Sequence, residues 1–316
     1  MRLPKPTLIA TTLFLLGLLL LGLLLIGGAN PTMAQDGPTT TEEPEGTPEV
    51  GDMGMVDGEE DELVARGRYL VHAVAACQDC HIGGSDYNAV YEDTLHASLA
   101  GGYTLLGNPW GQVTAPNLTV LHEWTDEQLE NAIRYGVRPD GSLLLPPMPY
   151  EAYASLSDED MTAIIAYLRS LEPVESEIAE PVLLEGLTRE DIRTAPEINA
   201  DAEFPTVDSS DMLAYGEYLG RHVAACVRCH GSAAEDGTLD PAGPLTGQVY
   251  VYGDFDAFQA PSLADERLSV EIIFTLLHTG IKANGRGVFI MPAYAYMQMT
   301  EADAQAIASW VISARP

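Results

Sequence analysis

Positive charge is scarce in this chain of 316 residues. Fifteen Lys and Arg, only two of them Lys, stand against 47 Asp and Glu, for a formal net charge of −32. Phosphate backbones need a basic footprint, and no Lys/Arg cluster occurs, so nucleic acid is excluded as a partner. Cysteine is equally scarce: four residues rule out a disulfide-dense secreted scaffold. No alternating apolar–polar run extends beyond a few residues, so no sheet is expected and the chain reads as all-α. The length is sufficient for about two domains, each with its own core.

One long apolar run is present. Arg2 and Lys5 precede Leu8–Ile26, a stretch of 19 residues, and Thr32-Met33-Ala34 offers a small-residue cleavage site. Export signals carry apolar regions of about 7–15 residues and membrane spans about 20, so residues 1–34 read either as a cleaved signal peptide or as a retained N-terminal anchor. The basic start holds this end in the cytoplasm in both cases, which places the rest of the chain on the extracytoplasmic side, in a periplasm or on the outer membrane face. Residues 35–62 are acidic and rich in Gly, Pro and Thr. They read as a disordered, self-repelling tether, with an acidic docking arm as the alternative.

The four cysteines fall into two copies of one pattern, Cys77-Gln-Asp-Cys80-His81 and Cys226-Val-Arg-Cys229-His230. At an offset of 149, Gly67, Tyr69, Leu70, Val74, Ala75 and Ala76 match Gly216, Tyr218, Leu219, Val223, Ala224 and Ala225. Downstream, with small gaps, Ala115-Pro116-x-Leu118 matches Ala260-Pro261-x-Leu263, and Gly136…Gly141 matches Gly280…Gly285. Met148-Pro149 then matches Met291-Pro292, Tyr153 matches Tyr296, Asp160 matches Asp303, and Tyr167 matches Trp310. The chain is an internal duplication: one domain over 63–173, a linker over 174–210, and a second domain over 211–316. Each copy predicts three main helices: one ending in the cysteine motif, one from Thr125 to Gly136 (Ser269 to Gly280), and one from Ser157 (Thr300). The linker, with Pro181, Pro196 and Pro205, predicts at most one short helix around 188–193.

C-x-x-C-H is the attachment signature of a c-type haem. Cysteines at i and i+3 on one turn reach two vinyl positions of one porphyrin edge, and the histidine at i+4 sits under the iron. A thioredoxin-like site needs a βαβ context, and a zinc site needs its two C-x-x-C pairs far closer together, so both are disfavoured. The expectation is two haem c groups. Cys77, Cys80, Cys226 and Cys229 are the covalent attachments, with His81 and His230 as axial ligands to iron. The second axial ligands are expected to be Met148 and Met291, matched thioethers presented by a Met-Pro in a loop. Core filling is the alternative role for each, and Met297 and Met299 lie near Met291. Met161 reads as core. His72 and His222 read as structural, although a bis-His site would need one of them, and His96, His122 and His278 receive no role.

These motifs resemble the class I c-type cytochrome fold, present twice. The first half is similar to the haem domains of the cytochrome subunits that accompany membrane-bound alcohol and gluconate dehydrogenases. The residues carrying that likeness are Ala115-Pro-Asn-Leu-Thr119, Trp124-Thr-Asp126, Gly136-Val-Arg-Pro-Asp-Gly141, Pro147-Met-Pro-Tyr150, Leu156-Ser-Asp-Glu-Asp160 and Tyr167-Leu168. The resemblance implies two tandem helical domains, each wrapped around its haem. In this fold a Gly-Pro-x-x-Gly segment often supplies a proline carbonyl to the ligand imidazole. Gly243-Pro-Leu-Thr-Gly247 therefore assigns Pro244 as the partner of His230, while the first half lacks that proline. Those dehydrogenase subunits usually carry three haem motifs and this chain has two.

The function these readings imply is one-electron transfer by a dihaem cytochrome c, as an acceptor subunit or partner of a dehydrogenase or respiratory complex, and not catalysis by the chain itself. A dihaem enzyme of peroxidase type competes. It would need one iron with an open position, against which the matched methionines argue. The acidity has two readings, docking to redox proteins with basic surfaces or a solvated surface kept for solubility.

Overall fold

The structure, a computed structural model, describes residues 61–83, 93–108, 110–193, 198, 202–231, 239–250, 258–288 and 290–315. The signal or anchor expected over 1–34 lies outside the described residues, as does the tether except Asp61 and Glu62. Residues 57–316 form one compact unit that contains both halves. No helix among the described residues is long and apolar enough to cross a membrane.

The first half opens with α1 (Glu62–Tyr69), whose first turn is capped by the Asp61 carboxylate accepting from Leu63 N–H. The next helix, α2 (Gln78–His81), is a single turn. β1 (Thr104–Asn108) and β2 (Gly111–Thr114) pair antiparallel. α3 (Asp126–Tyr135) begins in a complete Thr125–Gln128 capping box and stops at Gly136, whose φ of 67° is a left-handed C-cap. A short α4 (Tyr150–Tyr153) precedes α5 (Asp158–Ser170), N-capped by Ser157. In the intervening segment, β3 (Val182–Leu183) pairs with β2 and α6 (Arg189–Ile192) is capped by Thr188. The second half repeats the plan with α7 (Met212–Tyr218), α8 (Val227–His230), the β4–β5 pair (Gln248–Tyr250 with Phe258–Ala260), α9 (Val270–Thr279), α10 (Ala293–Tyr296) and α11 (Glu301–Ser313).

The described residues are mainly helical, as expected, with five short strands among them that the sequence reading did not anticipate. These strands run for two to five residues, too short for an alternating pattern to show in the sequence; β1–β2 and β4–β5 are local antiparallel pairs, whereas β3 joins β2 from the segment between the halves. The segment between the halves is also more than a linker. Val174 N–H donates to Thr119 Oγ1 at 2.9 Å, and its carbonyl accepts from Asn117 Nδ2 at 2.7 Å. β3 extends the hairpin, and the Phe204 ring lies 3.5 Å from the guanidinium of the fully buried Arg134. Arg134 in turn donates to Leu156 O at 2.6 Å and Glu130 Oε1 at 2.7 Å, tying α3 to the start of α5.

The first and last helices of each half cross at a glycine. A Cβ on Gly67 would lie 1.9 Å from Ala163 O, and one on Gly216 would lie 2.0 Å from Ala306 O. The halves are joined reciprocally. Tyr69 Oη donates to Asp303 Oδ2 at 2.5 Å and accepts from Thr300 N–H at 3.1 Å. Tyr218 Oη donates to Asp160 Oδ2 at 2.8 Å and accepts from Ser157 N–H at 3.2 Å. Each tyrosine of the duplication thus caps the last helix of the other half. Burial, followed by the carboxylate partner, raises the phenol pKa of Tyr69; burial and the Asp160 charge do the same for Tyr218. Both groups remain neutral donors at physiological pH.

Tyr69→Phe and Tyr218→Phe are each expected to cost about 1.5–3 kcal/mol, because each leaves a helix N–H without its acceptor and removes a charge-assisted bond to a buried carboxylate, Asp303 in the first case and Asp160, which keeps Arg66 at 2.9 and 3.1 Å, in the second. Urea unfolding of the holoprotein checks this. Unchanged midpoints for both variants would show that the hydroxyls do not hold the halves together.

Candidate haem sites

Helix α1 does not run straight into the cysteine motif, as the sequence pattern predicted. At Leu70 it widens into a π-helical segment, Leu70–Val74, in which Ala75 N–H donates to Leu70 O at 2.8 Å. Cys77 N–H then reaches back to Val71 O at 2.9 Å, and Ala76 adopts a φ of 52°. The second half does the same: Leu219–Val223 is π-helical, Cys226 N–H donates to Gly220 O at 2.8 Å, and Ala225 has a φ of 48°. A left-handed non-glycine residue costs about 1–2 kcal/mol, and π-helical turns cluster at functional positions. Here the break starts a new turn at each first cysteine. The turn closes with His81 N–H on Cys77 O and His230 N–H on Cys226 O, both at 2.9 Å.

The four cysteines are free of disulfides. Burial pushes the thiols of Cys77 and Cys226 up to about 12 and that of Cys80 up to about 11, and raises Cys229 as well. Such thiols are neutral, unlike the low-pKa thiolates of redox-active or metal-binding cysteines.

Each histidine of the motif is oriented by one carbonyl. His81 Nδ1 lies 2.9 Å from Pro116 O, and His230 Nδ1 lies 2.8 Å from Pro261 O. A carbonyl only accepts, so Nδ1 carries the proton and the Nε2 lone pair is left for a metal. Burial lowers both imidazole pKa values, which favours the neutral, ligating form.

The assignment of Pro244 as the partner of His230 is corrected: the ring is held by Pro261. The segment around Pro244 serves the main chain instead. Gly247 N–H donates to His230 O at 2.8 Å, and Leu263 N–H donates to Leu245 O at 2.8 Å, which draws Pro261 against the ring. The first half matches this, with Gly101 N–H on His81 O at 3.0 Å and Leu118 N–H on Leu99 O at 2.9 Å. Gly101 and Gly247 have φ values of 68° and 77°, and a Cβ at either would meet the Pro116 or Ala260 backbone within 2.5 Å. Pro116 and Pro261 are therefore the functional residues that the sequence reading missed. Their signal was present in the matched Ala-Pro-x-Leu segments, without a role attached.

Met148 and Met291 are half-buried against the core, just before α4 and α10. Met161 and Met299 are buried core residues, and Met297 is largely exposed. His72 is completely buried with Nε2 2.7 Å from Tyr167 Oη, and burial lowers its pKa to about 4. His222 Nδ1 donates to Ala152 O at 3.1 Å in the opposite half. Both histidines are thus engaged structurally. The two cysteine motifs adjoin: the Arg228 side chain bonds to Cys80, and Tyr294 Oη donates to Asp79 Oδ1 at 3.1 Å.

A family model described as cytochrome c oxidase, cbb3-type, subunit III, matches residues 62–168 and again 214–311. The chain belongs to this family. Its cytochrome c domains bind haem c, and the residues found here fit that group: neutral thiols outside any disulfide on one turn and an imidazole with Nε2 to spare. The twofold match also coincides with the internal duplication.

Among characterised proteins, the chain is similar to the cytochrome c subunit of the quinone alcohol dehydrogenase of Gluconacetobacter polyoxogenes, 28% identical over 283 residues, covering 80% of this chain and 56% of that one. It is 28% identical over 270 residues to the fructose dehydrogenase cytochrome subunit of Gluconobacter japonicus, covering 79% and 52%. It is 31% identical over 190 residues to the gluconate 2-dehydrogenase cytochrome c subunit of Pantoea cypripedii, covering 55% and 39%. The chain spans about half the length of the relatives it matches along most of its own length.

Proposed function

We propose that this protein is a dihaem cytochrome c that passes single electrons on the extracytoplasmic side of a membrane, as the electron-accepting subunit or partner of a dehydrogenase or respiratory complex. The observation that carries this reading is the repetition of one construction: a π-helical break, a left-handed alanine, a cysteine turn and a histidine locked by a proline carbonyl, in both halves. Cys77 and Cys80 would hold one haem, with His81 and Met148 as ligands to its iron, and Cys226 and Cys229 would hold the other, with His230 and Met291. Each haem supplies an iron that alternates between two oxidation states.

The chain's own residues do the rest. Pro116 and Pro261 hold the imidazole protons on Nδ1, which fixes ring orientation and strengthens each Nε2 as a donor. The apolar helices around the cysteines exclude water. The acidic surface draws partners with basic faces, at a rate that falls as ionic strength rises. The dehydrogenase partnership is inferred from the relatives' names, and the side of the membrane from the basic start and apolar run at residues 2–26.

Haem quantification combined with a redox titration of the purified holoprotein tests this. Two haems per chain, both low-spin and six-coordinate with a methionine–iron charge-transfer band, are expected. One haem per chain would overturn it, and a high-spin haem that turns over peroxide would shift the reading to a peroxidase.

A further inference from the structure

The segment between the halves also reaches the Met148 loop. α6 is fixed by a capping box in which Thr188 and Asp191 exchange hydrogen bonds, and Arg189 Nη1 donates to Leu143 O at 2.9 Å. Arg193, the C-cap residue of α6, then leaves the helix in an extended conformation. Its side chain is only 10% exposed. The guanidinium donates from Nη2 to Met148 O at 3.3 Å, sits 2.5 Å from Glu151 Oε1, and lies 4.2 Å from the centroid of the Tyr150 ring. One planar group thereby grips the methionine's own carbonyl and two residues that follow it. Planarity matters, because a fork can satisfy a carbonyl and a carboxylate while stacking on a ring, and an ammonium cannot.

The other half lacks the receiving residues. In the Met-Pro alignment, Tyr150 is replaced by Ala293 and Glu151 by Tyr294. Met291 O accepts only the local Ala293 N–H, at 2.7 Å, among the contacts the described residues show. Met291, Ala293 and the exposed Met297 instead border a cavity of about 260 Å³ that is also lined by Val288 and Gly280.

We propose that Arg193 is a positioning residue that clamps the Met148 loop, so that the first iron keeps its thioether while the second, on the Met291 side, is the one open to small exogenous ligands. This rests on the reading of Met148 and Met291 as axial ligands. A thioether is displaced only when its loop swings away, so the affinity of a competing ligand scales with the fraction of open loop. Releasing the clamp raises that fraction at one iron alone.

The test uses imidazole as the probe and the oxidised holoprotein, following loss of the methionine–iron charge-transfer band. In a Met291→His background the band reports Met148 only; in a Met148→His background it reports Met291 only. In the first background, Arg193→Gln is expected to lower the half-displacing imidazole concentration about tenfold. Arg193→Lys, which keeps the charge and loses the fork, falls between the two. Glu151→Gln acts in the same direction and serves if Arg193→Gln does not accumulate. In the second background Arg193→Gln changes nothing, and displacement already begins at lower imidazole than for Met148. Equal shifts in both backgrounds would mean general loosening and would overturn the clamp, as would no shift in either. A Met291→His protein with no band before any imidazole is added would refute Met148 ligation itself, and the clamp with it.

Discussion

With Cys77 and Cys80 both replaced by alanine, haem per chain is expected to fall from two to one, and the loss should reach beyond the spectrum. The cysteine turn is the place where the chain invests backbone strain. Ala76 sits at a φ of 52° after a π-helical segment, a conformation worth about 1–2 kcal/mol against the chain. On the proposed reading, haem attachment at Cys77 and Cys80 offsets that cost.

The two halves also share Tyr69–Asp303 and Tyr218–Asp160, so disorder in one half withdraws a helix cap from the other. The first half is therefore expected to lose its helical signal, and the second half to keep its haem with a lowered unfolding midpoint. A haemochrome assay per polypeptide, with circular dichroism on the same sample, checks both parts. A double variant that retains two haems, or one haem with full helicity, would refute the attachment and the dependence respectively.

Gly67→Ala and Gly216→Ala are expected to be nearly as severe. Each adds one methyl group at a helix crossing where the nearest atom is a backbone carbonyl, 1.9 Å away in one half and 2.0 Å in the other. A side chain could rotate aside; a carbonyl inside a helical ladder cannot. α1 must lift from α5, or α7 from α11, and the cysteine turn that follows each first helix moves with it. A cost of about 3 kcal/mol or more is expected for either, or roughly 6–12 °C in unfolding midpoint for a unit of this size.

Gly141→Ala is the control. Gly141 has a φ of 81° with nothing within 4 Å, so its substitution carries only left-handed backbone strain, about 1–2 kcal/mol. Thermal unfolding of the three variants separates the cases. Equal shifts at Gly67 and Gly141 would show that the crossing is not close-packed.

Both glycine pairs are matched in the duplication, and in the sequence they look alike. That is where legibility stops. Repetition reveals that a position matters, while the reason for it depends on what the fold brings near. Capping signals behaved differently because they are local: Thr125 with Gln128, Ser157 with Asp160, and Thr300 with Asp303 each act within one turn, and helices begin at those positions. The short helix anticipated at 188–193 is α6, capped by its own Thr188. By contrast, the partner of His230 lies 31 residues away on a loop that the Leu245–Leu263 bond and the β4–β5 pairing bring to the ring. Pro244 was nearer in sequence and wrong. The strands escaped notice because strands of two to five residues have no period to display, and β3 pairs with a strand about 70 residues earlier in the chain.

By itself, the sequence determined the duplication, the cysteine and histidine constellation and the start of the second and third main helices of each half, since these depend on residues within a few positions of each other. Only the tertiary structure decided how the copies are used. It exchanged helix caps between them, gave Pro116 and Pro261 to the histidines, and laid the connecting segment on one methionine loop but not on the other. The physical reason is the same in each case. A hydrogen bond between residues far apart in the chain exists only after packing has closed the distance, and packing depends on all the apolar faces together.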